Sequence, residues 1–155
     1  MRLFNIISIA FILLLLISCK DKIESKVGFQ EKPKQEVENE SGEKFEKLDV
    51  SELNMKLVKS EEQFTPEAIM KMYYPHEVEG AEGNEQISIH RKQISKTEVE
   101  MILTHENMLD DSMNGEKYVL RLKKVGDRWV AASLKKNWKC WEGRGQNSWG
   151  ISNCN

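Results

Sequence analysis

The sequence predicts an α+β domain, with one or two helices packed on a four-stranded antiparallel meander and a disulfide-closed loop at the C-terminus. Three observations carry this expectation. Apolar residues recur at helical spacing between residues 51 and 74, then switch to alternation from residue 87 onward. Short turn-forming stretches separate the alternating runs, which favours antiparallel neighbours over crossover connections. Finally, Cys140 and Cys154 flank a short glycine-rich stretch at the end of the chain.

Before the domain comes a leader. Met1-Arg2 places one positive charge ahead of an apolar run from Ile9 to Ile17. That run is shorter than the roughly 20 apolar residues a permanent membrane span requires. Charge, short apolar middle and small residues at the end mark residues 1–18 as a secretory signal. Its end, Leu16-Ile17-Ser18-Cys19, resembles the lipobox of bacterial lipoproteins. The resemblance implies that Cys19 receives a diacylglyceryl group, becomes the first residue after cleavage and is acylated again. Two or more acyl chains give a stable membrane anchor where one gives marginal binding. No aspartate follows Cys19 directly, so the resemblance also implies the outer membrane, on its periplasmic or surface face.

Assigning Cys19 to lipid leaves Cys140 and Cys154 as an even pair in an oxidising compartment, where a structural disulfide is the expectation. A redox C-x-x-C motif is absent, and His76, His90 and His105 form no metal-ligand spacing with the cysteines. No cofactor and no metal site is expected.

Residues 19–50 read as the lipidated cysteine and a disordered charged tether, with Phe29 and Phe45 its only aromatics. Such composition buries too little apolar surface to offset the entropy of ordering. The domain is placed at 51–155. Ser51 to Lys59 carries Leu53, Leu57 and Val58 in a modest amphipathic pattern. A stronger helix signal follows, with Thr65 as N-cap, Pro66 at the first helical position and Glu67 at the positive helix end. Phe64 and Ile69 have hydrophobic-staple spacing, Ile69, Met70, Met72 and Tyr73 supply a buried face, and Pro75 stops the helix. Beyond an acidic loop at 77–85 the period becomes two: Ile87 and Ile89, then Val99, Met101 and Leu103, then Tyr118, Leu120 and Leu122, and a last run from Trp129 to Trp141. Turns are expected at Ser95-Lys96 and Gly126-Asp127, with a wider connection from Asp110 to Gly115.

A helix followed by a curved antiparallel sheet resembles the cystatin-like superfamily, including NTF2-like folds. Gly126-Asp127-Arg128-Trp129-Val130, then Ala131-Ala132-Ser133-Leu134, is similar to the penultimate-turn stretch of that group. The resemblance covers about residues 64–138 and implies a cone-shaped domain that can house a pocket.

Charge is unevenly distributed. Residues 20–114 hold 13 Lys/Arg against 22 Asp/Glu, net −9, while residues 115–155 hold 9 against 3, net +6. Acidic early elements lying against basic late strands explain this most simply; a basic face for an anionic envelope polymer is the sharper reading. No motif with a known docking geometry points to nucleic acid.

The densest candidate surface is Trp138, Trp141, Arg144 and Trp149, in or beside the disulfide loop. Tryptophan can stack on sugars or peptides, and the arginine fork can pair with a carboxylate or phosphate. Packing of the tryptophans on the bridge and sheet is the plainer alternative. His105-Glu106 with Asp110-Asp111 would suit a metal or an acid–base pair only if the four converge. His76-Glu77 could line a pocket mouth, Ser112 and Ser133 show no catalytic partners, and Met70, Met72 and Met101 sit at core spacing. The sequence therefore favours a non-enzymatic binding or accessory role in the envelope, for a glycan, peptide or protein. The alternatives are an NTF2-like pocket protein with His105 or Tyr73 near its mouth, and a periplasmic inhibitor of another enzyme. No catalytic residue is assigned.

Overall fold

The computed structural model describes residues 36–38, 42–75 and 84–155. The lipobox Leu16 to Cys19, the leader before it and His76-Glu77 lie outside the described residues.

Strands β1 (Glu36–Glu38) and β2 (Lys44–Leu48) come first, followed by helices α1 (Ser51–Lys59) and α2 (Pro66–Tyr73). Strands β3 (Gln86–Ser95), β4 (Glu98–Glu106), β5 (Met113–Val125) and β6 (Arg128–Cys140) complete the chain. All pair antiparallel in one sheet of order β1-β2-β6-β5-β4-β3. The α+β class and the meander are therefore as expected, but the sheet has six strands rather than four.

The extra two strands fall in the stretch whose composition reads as a tether. Averaged over that stretch, charge outweighs apolar surface, and this masks a five-residue strand. What orders β2 is a distant partner. It pairs with the open edge of β6 at Leu134 to Lys136, and Phe45 becomes 1% exposed. Burying one such ring contributes about 1.5–3 kcal/mol, enough to hold a short strand that has no local support.

Helix α2 forms for the expected reasons, while α1 relies on a cap its pattern does not announce, and Val58, part of that pattern, is 72% exposed. In α1, Asp49 Oδ1 accepts from Ser51 N at 2.9 Å and Ser51 Oγ at 2.7 Å, so the residue before the N-cap supplies the capping oxygen. Leu53 and Leu57 point inward. Thr65 Oγ1 accepts from Ala68 N at 3.2 Å at the start of α2, and Ile69 and Met70 are fully buried. The core lies between the helices and one face of the sheet. Cross-strand rows build it: Val99 opposite Leu122, Met101 opposite Leu120, Leu120 opposite Leu134, and Leu103 opposite Tyr118.

One polar contact ties α1 to the sheet. At Ala131 the edge of β6 lies beyond the reach of β2, leaving an N–H and a C=O without a strand partner. The Asn54 side chain fills that gap. Its Nδ2 donates to Ala131 O at 2.9 Å and its Oδ1 accepts from Ala131 N at 2.8 Å. A register shift between Arg121 and Leu122, opposite Ser133 and Ala131, places a bulge beside this contact.

Asn114 and Gly115, expected in a connection, belong to β5 instead. A Cβ at Gly115 would stand 2.7 Å from His105 O and 3.3 Å from the Trp149 ring. The glycine is there for close approach rather than for a turn.

Candidate functional site

The C-terminal flap begins where β6 outruns its neighbour. Past Lys136 no strand among the described residues covers the outer edge of β6, and the chain doubles back to cover it. Trp138 N donates to Gly150 O at 2.9 Å and Gly150 N to Trp138 O at 3.0 Å. Cys140 N donates to Gln146 O at 2.8 Å, and Gln146 Nε2 to Trp138 O at 3.2 Å. The Cys140–Cys154 disulfide, Cα to Cα 5.5 Å, closes the loop. Gly145 makes the reversal possible: its φ is 147, and a Cβ there would lie 2.8 Å from Cys140 Sγ and 2.9 Å from Asn153 O.

Within this frame the four expected residues divide. Trp138 is 6% exposed, and its indole N–H donates to Ser152 O at 2.8 Å; it is the base on which the flap rests. Trp141 is half-buried and spans to the β4–β5 connection, its backbone N donating to Ser112 O at 2.9 Å and its Nε1 to Asp110 O at 2.8 Å. Trp149 is half-buried on the opposite face of the sheet from the helices, with Lys117 Nζ 4.4 Å and Lys139 Nζ 5.0 Å from its ring centroid. Such cation–π contacts hold the ring in place. Arg144 is exposed, and its guanidinium makes no ion pair among the described residues.

Beside Trp141, the β4–β5 connection presents Leu109 at 76% exposure. Asp110 builds that connection, accepting from Met113 N at 2.6 Å and from Ser112 N at 2.8 Å. These two backbone donors, Met113 foremost, hold the Asp110 carboxyl below the usual carboxylate range. One end of the molecule thus shows Leu109, the outer part of Trp141, and Arg144, all on braced backbone.

The quartet His105, Glu106, Asp110 and Asp111 is not assembled. Adjacent strand residues face opposite ways: His105 turns into the core side at 1% exposure, while Glu106 crosses the other face to Lys139 at 2.5 Å. Among the described residues, no group of three or more His, Cys, Asp or Glu side chains could hold a metal ion. Ser112 Oγ is spent on Asp110, and Ser133 is exposed on the helix-free face.

His105 nevertheless anchors a buried polar chain. Its Nδ1 lies 2.7 Å from Tyr74 Oη and its Nε2 2.8 Å from Glu85 Oε1. Tyr118 Oη donates to Glu116 Oε2 at 2.9 Å, and the Tyr73, Tyr74 and Tyr118 rings pack together. Burial pushes the Tyr74 hydroxyl up to about 12, helped by the charges of Glu116 and Glu85. Tyr118 is raised further, again by burial first. At neutral pH both phenols stay protonated; Tyr118 donates to Glu116, and Tyr74 shares a hydrogen bond with His105 Nδ1. Tyr74 follows directly on the end of α2, so the chain clamps that end to β4. One sequence signal points to it: the inward alternation Val99, Met101, Leu103 continues to position 105, where a histidine must find polar partners.

Two shallow clefts lie elsewhere. One, of about 250 Å³, is lined by Asp49, Glu52, Leu53, Lys56, Met72 and Tyr73. The other, of about 200 Å³, lies on the helix-free face between Lys47, Arg121 and Lys135. No family model matches the chain, and no curated protein and no solved structure is significantly similar to it.

Proposed function

We propose that this chain is a bacterial lipoprotein, anchored through Cys19 in the outer membrane, whose domain is a non-enzymatic binding or accessory module. Its ligand surface is the flap end, with Trp141 and Arg144 as contact residues, Trp149 flanking them and Trp138 beneath. The observation that carries the reading is Leu109, 76% exposed on a connection braced by Asp110 and Trp141, with the Trp141 carbonyl in turn accepting from the backbone N of Arg144, which has no ion-pair partner among the described residues. Tryptophan and arginine are the residue types enriched in protein-binding hot spots, and Leu109 adds apolar surface beside Trp141. Rigid presentation lowers the ordering cost of association. A peptide or protein partner suits this surface better than a glycan, because both flap tryptophans are half-buried and held edge or face by their own neighbours.

A second reading is that the module blocks another enzyme. The disulfide-closed flap, resting on buried Trp138 with Arg144 exposed, favours it, since inhibitors present a stiff protruding loop.

A photo-crosslinking residue at position 109 in intact cells tests the surface, with Val58, 72% exposed on α1, as control. Discrete adducts at position 109 but not at 58, lost on Arg144→Ala, are expected. Equal adducts at both positions, or none at 109, reject the flap as the contact surface. Mass spectrometry of the mature protein tests the anchor: an unmodified Cys19 thiol would refute it.

A further inference from the structure

The helix-free face of the sheet follows a charge rule that fails in one place. Across β3, β4 and β5, directly opposed charged residues are complementary: Lys92 faces Glu100, Glu100 faces Arg121, and Glu98 faces Lys123. Opposite charges on facing strands stabilise a sheet and like charges destabilise it. Between β2 and β6, however, Lys47 stands directly opposite Lys135. Three cations of this face reach a carboxylate: Lys117 meets Glu43 at 2.9 Å, Lys139 meets Glu106, and Arg121 meets Glu98 at 2.6 Å. Lys92 and Lys123 make no ion pair among the described residues, but each stands opposite a glutamate. Lys47 and Lys135 make no ion pair among the described residues.

The exception coincides with the cleft of about 200 Å³ on this face, lined among others by Lys47, Arg121, Ser133 and Lys135. Arg121 and Ser133 are themselves directly opposed on β5 and β6, so the four side chains form two adjacent cross-strand pairs around one space. Two of them are already positioned. Arg121 is fixed through Nε by Glu98, which leaves the far end of its fork unoccupied. Lys135 Nζ sits 4.3 Å over the Phe45 ring. The one carboxylate lining the cleft, Glu100, lies between Lys92 and Arg121, so its charge is matched from both sides.

We propose that Lys47, Arg121, Ser133 and Lys135 form a binding site for a tetrahedral oxyanion, a phosphoryl group in chemical class. Two ammonium groups, half a guanidinium fork and a hydroxyl supply the charge-assisted donors that such a group requires. The bound anion turns the repulsive Lys47–Lys135 pair into a bridged one. The cleft is open, so the phosphoryl group is either free or carried on a larger molecule such as a lipid headgroup. This site is separate from the flap and does not depend on the reading given for it.

The test uses the full chain in detergent, titrated with inorganic phosphate at constant ionic strength and followed by amide NMR at residues 47, 133 and 135. Saturable shifts are expected, with affinity about tenfold weaker in Lys135→Gln, the loss of one charge-assisted hydrogen bond. Without phosphate, Lys47→Gln should melt no lower than the parent, because it relieves a like-charge contact and removes no ring contact. Lys47→Gln, at an exposed position of a short strand, gives a second variant if the first does not fold. Arg144→Ala should leave phosphate affinity unchanged. Vesicles of phosphatidylglycerol against phosphatidylcholine separate the sources. Preference for the former, reversed by inorganic phosphate, assigns a lipid headgroup; saturation by phosphate without vesicle preference assigns a soluble phosphoryl ligand. Shifts that never saturate, or equal affinity in both lysine variants and parent, overturn the site.

Discussion

Asn54 acts as a one-residue strand, and removing it should cost more than its half-exposed position on a short helix implies. Its amide satisfies both backbone groups of Ala131, which is 5% exposed. In Asn54→Leu both hydrogen bonds vanish and the Ala131 N–H and C=O lose their partner beside the helix. Each stranded group costs about 1–3 kcal/mol where water cannot reach it. Partial access of solvent at the sheet edge argues for the low end, so the expected loss is about 3 kcal/mol. That is a large fraction of the roughly 5–15 kcal/mol that holds a domain together. Asn54→Asp refines the case. Protonated, its carboxyl can donate to Ala131 O and accept from Ala131 N; ionised, it can only accept, and it faces a carbonyl oxygen. The folded form therefore raises that carboxyl above its unfolded value of about 3.9. Its contribution is fully present below that value and is lost as pH rises through the folded value. Urea unfolding followed by circular dichroism at pH 3.5 and pH 7 measures both variants. Asn54→Asp should approach the parent at the lower pH and fall behind it at the higher, with the denaturant slope unchanged. A loss below about 1 kcal/mol in Asn54→Leu would refute the strand-mimic argument.

Three further outcomes follow from the same structure. Replacing Cys140 and Cys154 by serine opens a loop of separation 14 and should cost about 3 kcal/mol, read as a lower melting midpoint; an unchanged midpoint would show that the backbone ladder alone holds the flap. Gly115→Ala puts a methyl 2.7 Å from His105 O, a backbone atom that cannot rotate away, so about 2 kcal/mol should be lost in thermal unfolding, and parent-like stability would contradict the close approach. The Tyr74 hydroxyl is raised from 10.0 to about 12, so its contribution is intact below pH 10 and fades as pH climbs through 12; tyrosinate absorbance should show a late phase that Tyr74→Phe removes.

Where the determinants of structure are local, residues 51–155 disclose them. Thr65, Pro66 and Ile69 announce α2 because cap, fixed φ and staple act within one turn. The hairpin at Gly126-Asp127 and the pairing of Cys140 with Cys154 are legible for similar reasons. Strands β1 and β2 are not, since Phe45 becomes apolar surface worth burying only when β6 offers it an edge. Asn54 reads as an ordinary helix residue; its role depends on where β2 stops. At the candidate site, the sequence brings Trp138, Trp141, Arg144 and Trp149 together, but which ring is floor and which is rim depends on how the chain returns along β6. Leu109 is invisible as a candidate, because an exposed leucine gains meaning only from the rigidity of its neighbours. Lys47 and Lys135 are likewise silent until the register sets one opposite the other.

The pairing of β2 with β6 also sets the order in which the chain can be completed. Helices α1 and α2 and the hairpins of β3 to β6 join near neighbours, and such contacts form early. Glu43 and Asn137, by contrast, meet across 94 positions. Strand β2, made long before β6, thus finds its place only after β6 has formed. Until β6 exists in full, Phe45 has no edge to dock against, and any chain ending before Leu134 must leave that ring in water. Strand β2 serves as the closing latch of the fold, so damage near Leu134 to Lys136 is felt at Phe45, far earlier in the chain.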